Sequence, residues 1–131
     1  MEYLDKLKKN DVPDKDSFHA LLKKDDFGID IDYLEFIKKH NGAEGFLSND
    51  NYILLWNVQD LIALNPYYKD EPKCTNYFFF GSDGSNLGFA FDKKNKNIIA
   101  IDFIEIGITE PEFIATSFKL FINKLSEGME L

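Results

Sequence analysis

Residues 78–92, FFFGSDGSNLGFAFD, constrain the fold more tightly than any other part of the chain. Each aromatic run is too short for a helix. Phe89 and Phe91 flank Ala90 with the period of two that sends alternate side chains to opposite faces of a strand. Between and beside the runs, Gly81, Gly84 and Gly88 permit unusual backbone angles, and Asp83 and Asn86 can bond their own backbone. The pattern predicts two core strands joined by a glycine-shaped turn or bulge. It also predicts a closely packed helix on the face where Ala90 leaves room.

The same stretch fails the templates of the chemistries it superficially resembles. A P-loop needs four residues between its glycines and then a lysine to reach the phosphates; here Gly81 and Gly84 stand three apart and no lysine follows. Asp83 would repel an anion. A dinucleotide fingerprint fails on spacing. A calcium loop begun at Asp83 reaches Leu87, which offers no oxygen ligand. Ser82 and Ser85 lack the glycine flanks of a nucleophile elbow.

Around this hairpin the periodicity divides the chain. Tyr3, Leu4 and Leu7 form one stripe of a short first helix, ended at Val12-Pro13. Phe18, Leu21 and Leu22 mark a second, with Asp16 or Ser17 as its cap. A third helix carries Tyr33, Leu34, Phe36 and Ile37, capped by Asp32 with Glu35 in capping-box position, and ends at Asn41-Gly42. Residues 52–56 read as a strand, and Asn57 caps a helix that Asn65-Pro66 should stop. Strands at 77–80, 88–91 and 98–103 follow, the last two joined by the Asn-rich turn 93–97. A final helix uses Phe113, Ile114, Phe118, Phe121, Ile122 and Leu125. Helices, then a strand meander, then a helix predict an α+β fold: a single, mostly antiparallel sheet with helices packed against it.

Charge and composition narrow the function classes. The 131 residues, 44% apolar with 13 phenylalanines, suffice for one domain with its own core. Net charge is −8 and the chain has no arginine, which argues against direct nucleic-acid binding, where clustered Lys and Arg neutralise phosphate. An acidic surface suits solubility or a basic partner. The charged start is unlike a signal peptide, no apolar run is long enough to span a bilayer, and the single Cys74 fits a reducing compartment. The expected location is cytoplasmic.

The ordered set YLEFIKKHNG (33–42), Trp56 followed by a short helix, FGSDG (80–84) with FAFD (89–92), and an aromatic helix near Ser117-Phe118 resembles the SMI1/KNR4 family of the SUKH superfamily. The resemblance covers residues 16–131 and leaves 1–15 as an N-terminal helical extension. It implies an SMI1/KNR4-like α+β domain with a binding role. Many bacterial members look like immunity proteins that neutralise polymorphic toxins, often nucleases; fungal relatives serve as regulatory scaffolds.

The residues with catalytic potential are sparse. His19 and His40 read as surface or capping histidines, and Cys74 as a free thiol in a loop without a local base. Asp92 and Asp102 could meet across paired strands to bind a metal or share a proton; as strand-end aspartates they could equally cap turns. Trp56 with Tyr52, Tyr67 and Tyr68 could line an aromatic pocket, or the tryptophan could belong to the core. The expectation is a non-enzymatic binder with no cofactor, whose partner is a cognate toxin, a basic nuclease domain. Its expected contact residues are Asp83, Tyr67 and Tyr68, with Glu44, Asp50, Asp70 and Glu71 on neighbouring loops. The alternative is a small-molecule-binding or regulatory scaffold domain using the pocket near Trp56.

Overall fold

The computed structural model describes residues 2–131, with side chains from Leu4 onward; the expected place of Tyr3 on an apolar stripe lies outside them. Among the described residues, seven strands form one antiparallel sheet in chain order, with four α-helices packed on it. The fold is α+β.

The chain enters through a 3-10 turn, Glu2–Lys6, and a two-residue strand, β1 (Lys8–Lys9). Lys8 pairs opposite Glu44, an arrangement that places opposite charges across the edge. Leu4 and Leu7 are buried, so this segment is docked. Helix α1 (Lys15–Lys24) starts two residues earlier than a cap at Asp16 would place it and three earlier than one at Ser17. Its cap is Asp14, whose carboxylate accepts from the Ser17 N–H at 3.2 Å and the Ser17 hydroxyl at 3.1 Å.

Helix α2 (Ile31–Lys39) is capped by Asp30 rather than Asp32. Asp30 Oδ1 accepts from the N–H groups of Asp32 and Tyr33, while Oδ2 accepts from the N–H of Phe118 at 3.0 Å. One carboxylate thus satisfies the N-termini of two helices, and that shared demand, invisible locally, selects Asp30 over Asp32.

Strands β2 (Ala43–Phe46) and β3 (Tyr52–Leu55) form a hairpin, and Ile53 and Leu55 are buried while Tyr52 and Leu54 are half-buried. Helix α3 (Val58–Lys69) runs through Pro66, so the expected stop at Asn65-Pro66 does not occur. The reason lies in strand β4 (Tyr77–Ser82), which β3 pairs only at Gly81 and Ser82. The Asn65 side chain covers part of the uncovered stretch: it accepts from the Phe79 N–H at 2.6 Å and donates to the Phe79 carbonyl at 2.9 Å and the Leu61 carbonyl at 2.8 Å. The side-chain amide pairs as a neighbouring strand would, and this docking outweighs the interior proline's usual cost of about 3 kcal/mol.

β5 (Leu87–Asp92) and β6 (Ile98–Asp102) complete the meander, with a bulge in β4 at Phe80. The last helix, expected to include Phe113 and Ile114, is shorter. Glu112–Ala115 form edge strand β7, with Ile114 buried and Phe113 half exposed, and α4 (Phe118–Ser126) begins after its cap Ser117.

Both faces of the sheet are covered. On one, Phe80, Phe89 and Phe91 meet Tyr33 of α2 and Phe118 and Phe121 of α4, with ring centroids 4.7–6.0 Å apart. On the other, Tyr68 of α3 packs against Phe79 of β4, and Gly88 leaves space for Phe103. A Cβ on Gly88 would fall 2.2 Å from the Phe103 ring, so only glycine admits that ring against the strand.

A candidate protein-binding surface

The last turn of α3 carries Tyr67 and Tyr68, side by side in sequence but in different settings. Tyr68 stacks on Phe103 (5.1 Å, 21°) and packs against Phe79 (4.8 Å), which fixes its ring. Burial, then the neighbouring Tyr67 and Cys74, raises its phenol above the ordinary value. Tyr67 stands edge-on to it at 5.3 Å and is 75% exposed. A rigid aromatic platform with one free ring results.

The acids follow directly. Asp70 caps α3, and Glu71 caps the 3-10 turn Pro72–Cys74 by accepting from the Lys73 N–H. Glu71 also faces the 103–111 loop, where Gly107 has a φ of +84° and a Cβ would lie 2.9 Å from the Glu71 carboxylate. Tyr67, Tyr68, Asp70, Glu71, Phe103 and Ile106 line an open cavity of about 480 Å³. On the same loop Ile104 and Ile108 are each 80% exposed, beside Glu105, which accepts from the Thr109 hydroxyl at 2.6 Å. Apolar side chains that prominent, rimmed by carboxylates, have the make-up of a contact surface.

Four of the seven expected contact residues therefore meet at one place. The other three lie elsewhere. Glu44 accepts from the Tyr52 hydroxyl, an interaction that raises the Tyr52 phenol, and Phe46 sits edge-on to Tyr52 at 5.1 Å. Tyr52 also lies against Gly84 in the β4–β5 turn, and Asp50 is exposed in the β2–β3 loop. Asp83 holds that turn: its Oδ1 accepts from the N–H groups of Ser85 at 2.9 Å and Leu87 at 3.1 Å.

Trp56 is buried at 8% exposure within the core, and it is absent from the lining of the tyrosine cavity; Phe103 supplies the aromatic wall there instead. Asp92 and Asp102 do not meet. Antiparallel pairing places Asp92 opposite Tyr77 and Asp102 opposite Leu87, at opposite ends of the strands. Each caps a turn, Asp92 accepting from the Lys94 N–H and Asp102 from the Ile104 N–H. That backbone bond, with the Asn86 amide, holds the Asp102 carboxyl below its ordinary range. His19 is exposed and His40 ends α2. Among the described residues no group of three or more His, Cys, Asp and Glu is placed to hold a metal ion, and no helix is long and apolar enough to cross a membrane.

Phe103, Ile104, Ile106 and Ile108 were not among the expected contact residues. Their signal was present: isoleucines alternate through residues 104–108 next to Gly107 and Pro111, an apolar period with no strand partner. No protein-family model matches the chain, and no curated protein does.

Proposed function

We propose that this chain is a non-enzymatic, cytoplasmic binding protein of the immunity type, similar to SMI1/KNR4 (SUKH) proteins, that neutralises a basic nuclease-type toxin domain by stoichiometric occlusion. The observation that carries the reading is the meeting of Tyr67, Tyr68, Asp70 and Glu71 with Phe103 and Ile106 in one cavity beside exposed Ile104 and Ile108. Rigid tyrosines present large contact area at little entropic cost, and such anchors dominate interface energies. The carboxylates around them complement a surface built to hold phosphate, and the net charge of −8 draws such a surface in. An inhibitor seated on that surface blocks the substrate groove without any chemistry of its own.

The test uses a basic nuclease-type toxin domain, sought in the gene adjacent to that of this protein. Tyr67→Ala is expected to weaken binding by about 2 kcal/mol, roughly thirtyfold in Kd. Combined with Asp70→Lys and Glu71→Lys it should abolish protection of cells. Reversal of Glu44, Asp50 and Asp83 together should leave affinity within a few-fold. Undiminished binding by the first set, measured calorimetrically, overturns the site; absence of binding by the unaltered protein overturns the function.

A further inference from the structure

A second cleft, of about 220 Å³, opens between α1 and α3 and shares no lining residue with the tyrosine cavity. Its floor is apolar: Leu21 and Leu61 are each 1% exposed and Phe78 is 9% exposed. Its rim is cationic. Lys24 from the last turn of α1, Lys69 from the last turn of α3 and Lys93 from the β5–β6 turn converge on it.

In a chain with 23 acids and 15 lysines, three lysines converging on a cleft whose lining holds a single carboxylate, Asp26, is the informative fact. Only Lys93 is paired, with Asp26 at 3.0 Å, and its ammonium also sits 5.9 Å from the Phe27 ring centre. Lys24 and Lys69 have no carboxylate within ion-pair distance among the described residues. Their potential adds at the mouth of a low-dielectric cleft, where field lines focus. Two of the neutral polar groups of the lining, Asn65 and Thr75, are already engaged, and the Tyr77 phenol is the third. Asn65 is bound to Leu61 and Phe79, and the Thr75 hydroxyl donates to the Lys69 and Pro72 carbonyls. A sugar or nucleoside would need several free neutral partners where the lining offers the Tyr77 phenol; an anionic head over an apolar body needs only ammonium groups and a greasy floor.

We propose that this cleft binds a small organic anion: a carboxylate carried on an aromatic or branched aliphatic body. The carboxylate lies between Lys24 and Lys69, and the body rests on Leu21, Leu61 and Phe78. The proposal is independent of toxin binding.

Heteronuclear NMR titration of the full chain with phenylacetate, phenylacetamide and phenethylammonium tests it. Phenylacetate is expected to give saturable shifts at the amides of Leu21, Leu61, Lys69 and Phe78, with the amide analogue at least about fivefold weaker and the cation silent. A Lys24→Met, Lys69→Met variant should lose about fivefold in affinity for phenylacetate while keeping its affinity for phenylacetamide. Both lysines are exposed, so the variant retains its packing, and unchanged resonances on the distant face report that directly. Equal binding of acid and amide, no saturable shift with phenylacetate, or an unaltered affinity in the double variant would each overturn the proposal.

Discussion

Cys74 lies beneath the acidic turn that follows α3, fully buried at the end of the 3-10 turn Pro72–Cys74. Burial first, and then the Glu71 carboxylate, push its thiol from an ordinary 9.0 up to about 11. A raised folded-state value favours the neutral thiol, so its contribution to stability is complete below pH 9 and is lost as pH rises through about 11. Two consequences can be measured. At pH 8 the thiolate fraction in the native state is about a hundredfold below that of the unfolded chain, so a disulfide reagent should label native protein slower by at least that factor. The stability advantage over Cys74→Ala should be flat between pH 6 and 9 and shrink above it, as read from urea unfolding midpoints. Rapid native labelling would mean that residues 70–76 do not cover the sheet. The same burial and the Glu71 carboxylate both disfavour the thiolate that a nucleophilic role would need.

At the scale of elements, the β4–β5 hairpin and Phe103 act as one unit. Gly88→Ala drives a methyl into the Phe103 ring and is expected to cost about 1–3 kcal/mol, seen as a lowered melting temperature. Phe103→Leu in the same chain should recover part of that loss, because the shorter side chain vacates the point of collision. Additive losses would show that the two residues do not touch. This hairpin was legible because its evidence is local: alternation at Phe89 and Phe91 and turn residues at Asp83 and Asn86 lie within one window. Strands β1, β2 and β7 were not. Two lysines carry no apolar period, and Ala43–Phe46 and Glu112–Ala115 are too short for one to declare itself. Non-local bonds decided the other departures, as when Asp30 answered to Phe118 across 88 positions and Asn65 to Phe79 across 14.

For the molecule as a whole, the candidate surface was half readable. Tyr67, Tyr68, Asp70 and Glu71 are neighbours in sequence, so their grouping needed no fold. Phe103 and Ile106 join them only through the β5–β6 register, while Asp83 lies elsewhere and bonds its own turn through Oδ1. What the whole chain adds to that surface is its field. With 23 acids, 15 lysines and no arginine, the protein carries a net −8 that a basic partner meets well before contact. Association with the proposed nuclease domain should therefore slow steeply with salt, by about tenfold or more between 0.05 and 0.5 M, as the Debye length shrinks from roughly 14 to 4 Å. Dissociation should change little over that range, because the proposed complex would desolvate Tyr67, Tyr68 and Ile108 and screened contacts at the rim would contribute little. Stopped-flow association and dissociation rates separate these two effects. A salt-independent association rate with a salt-sensitive dissociation rate would place the charge pairs inside the interface and remove steering from the mechanism.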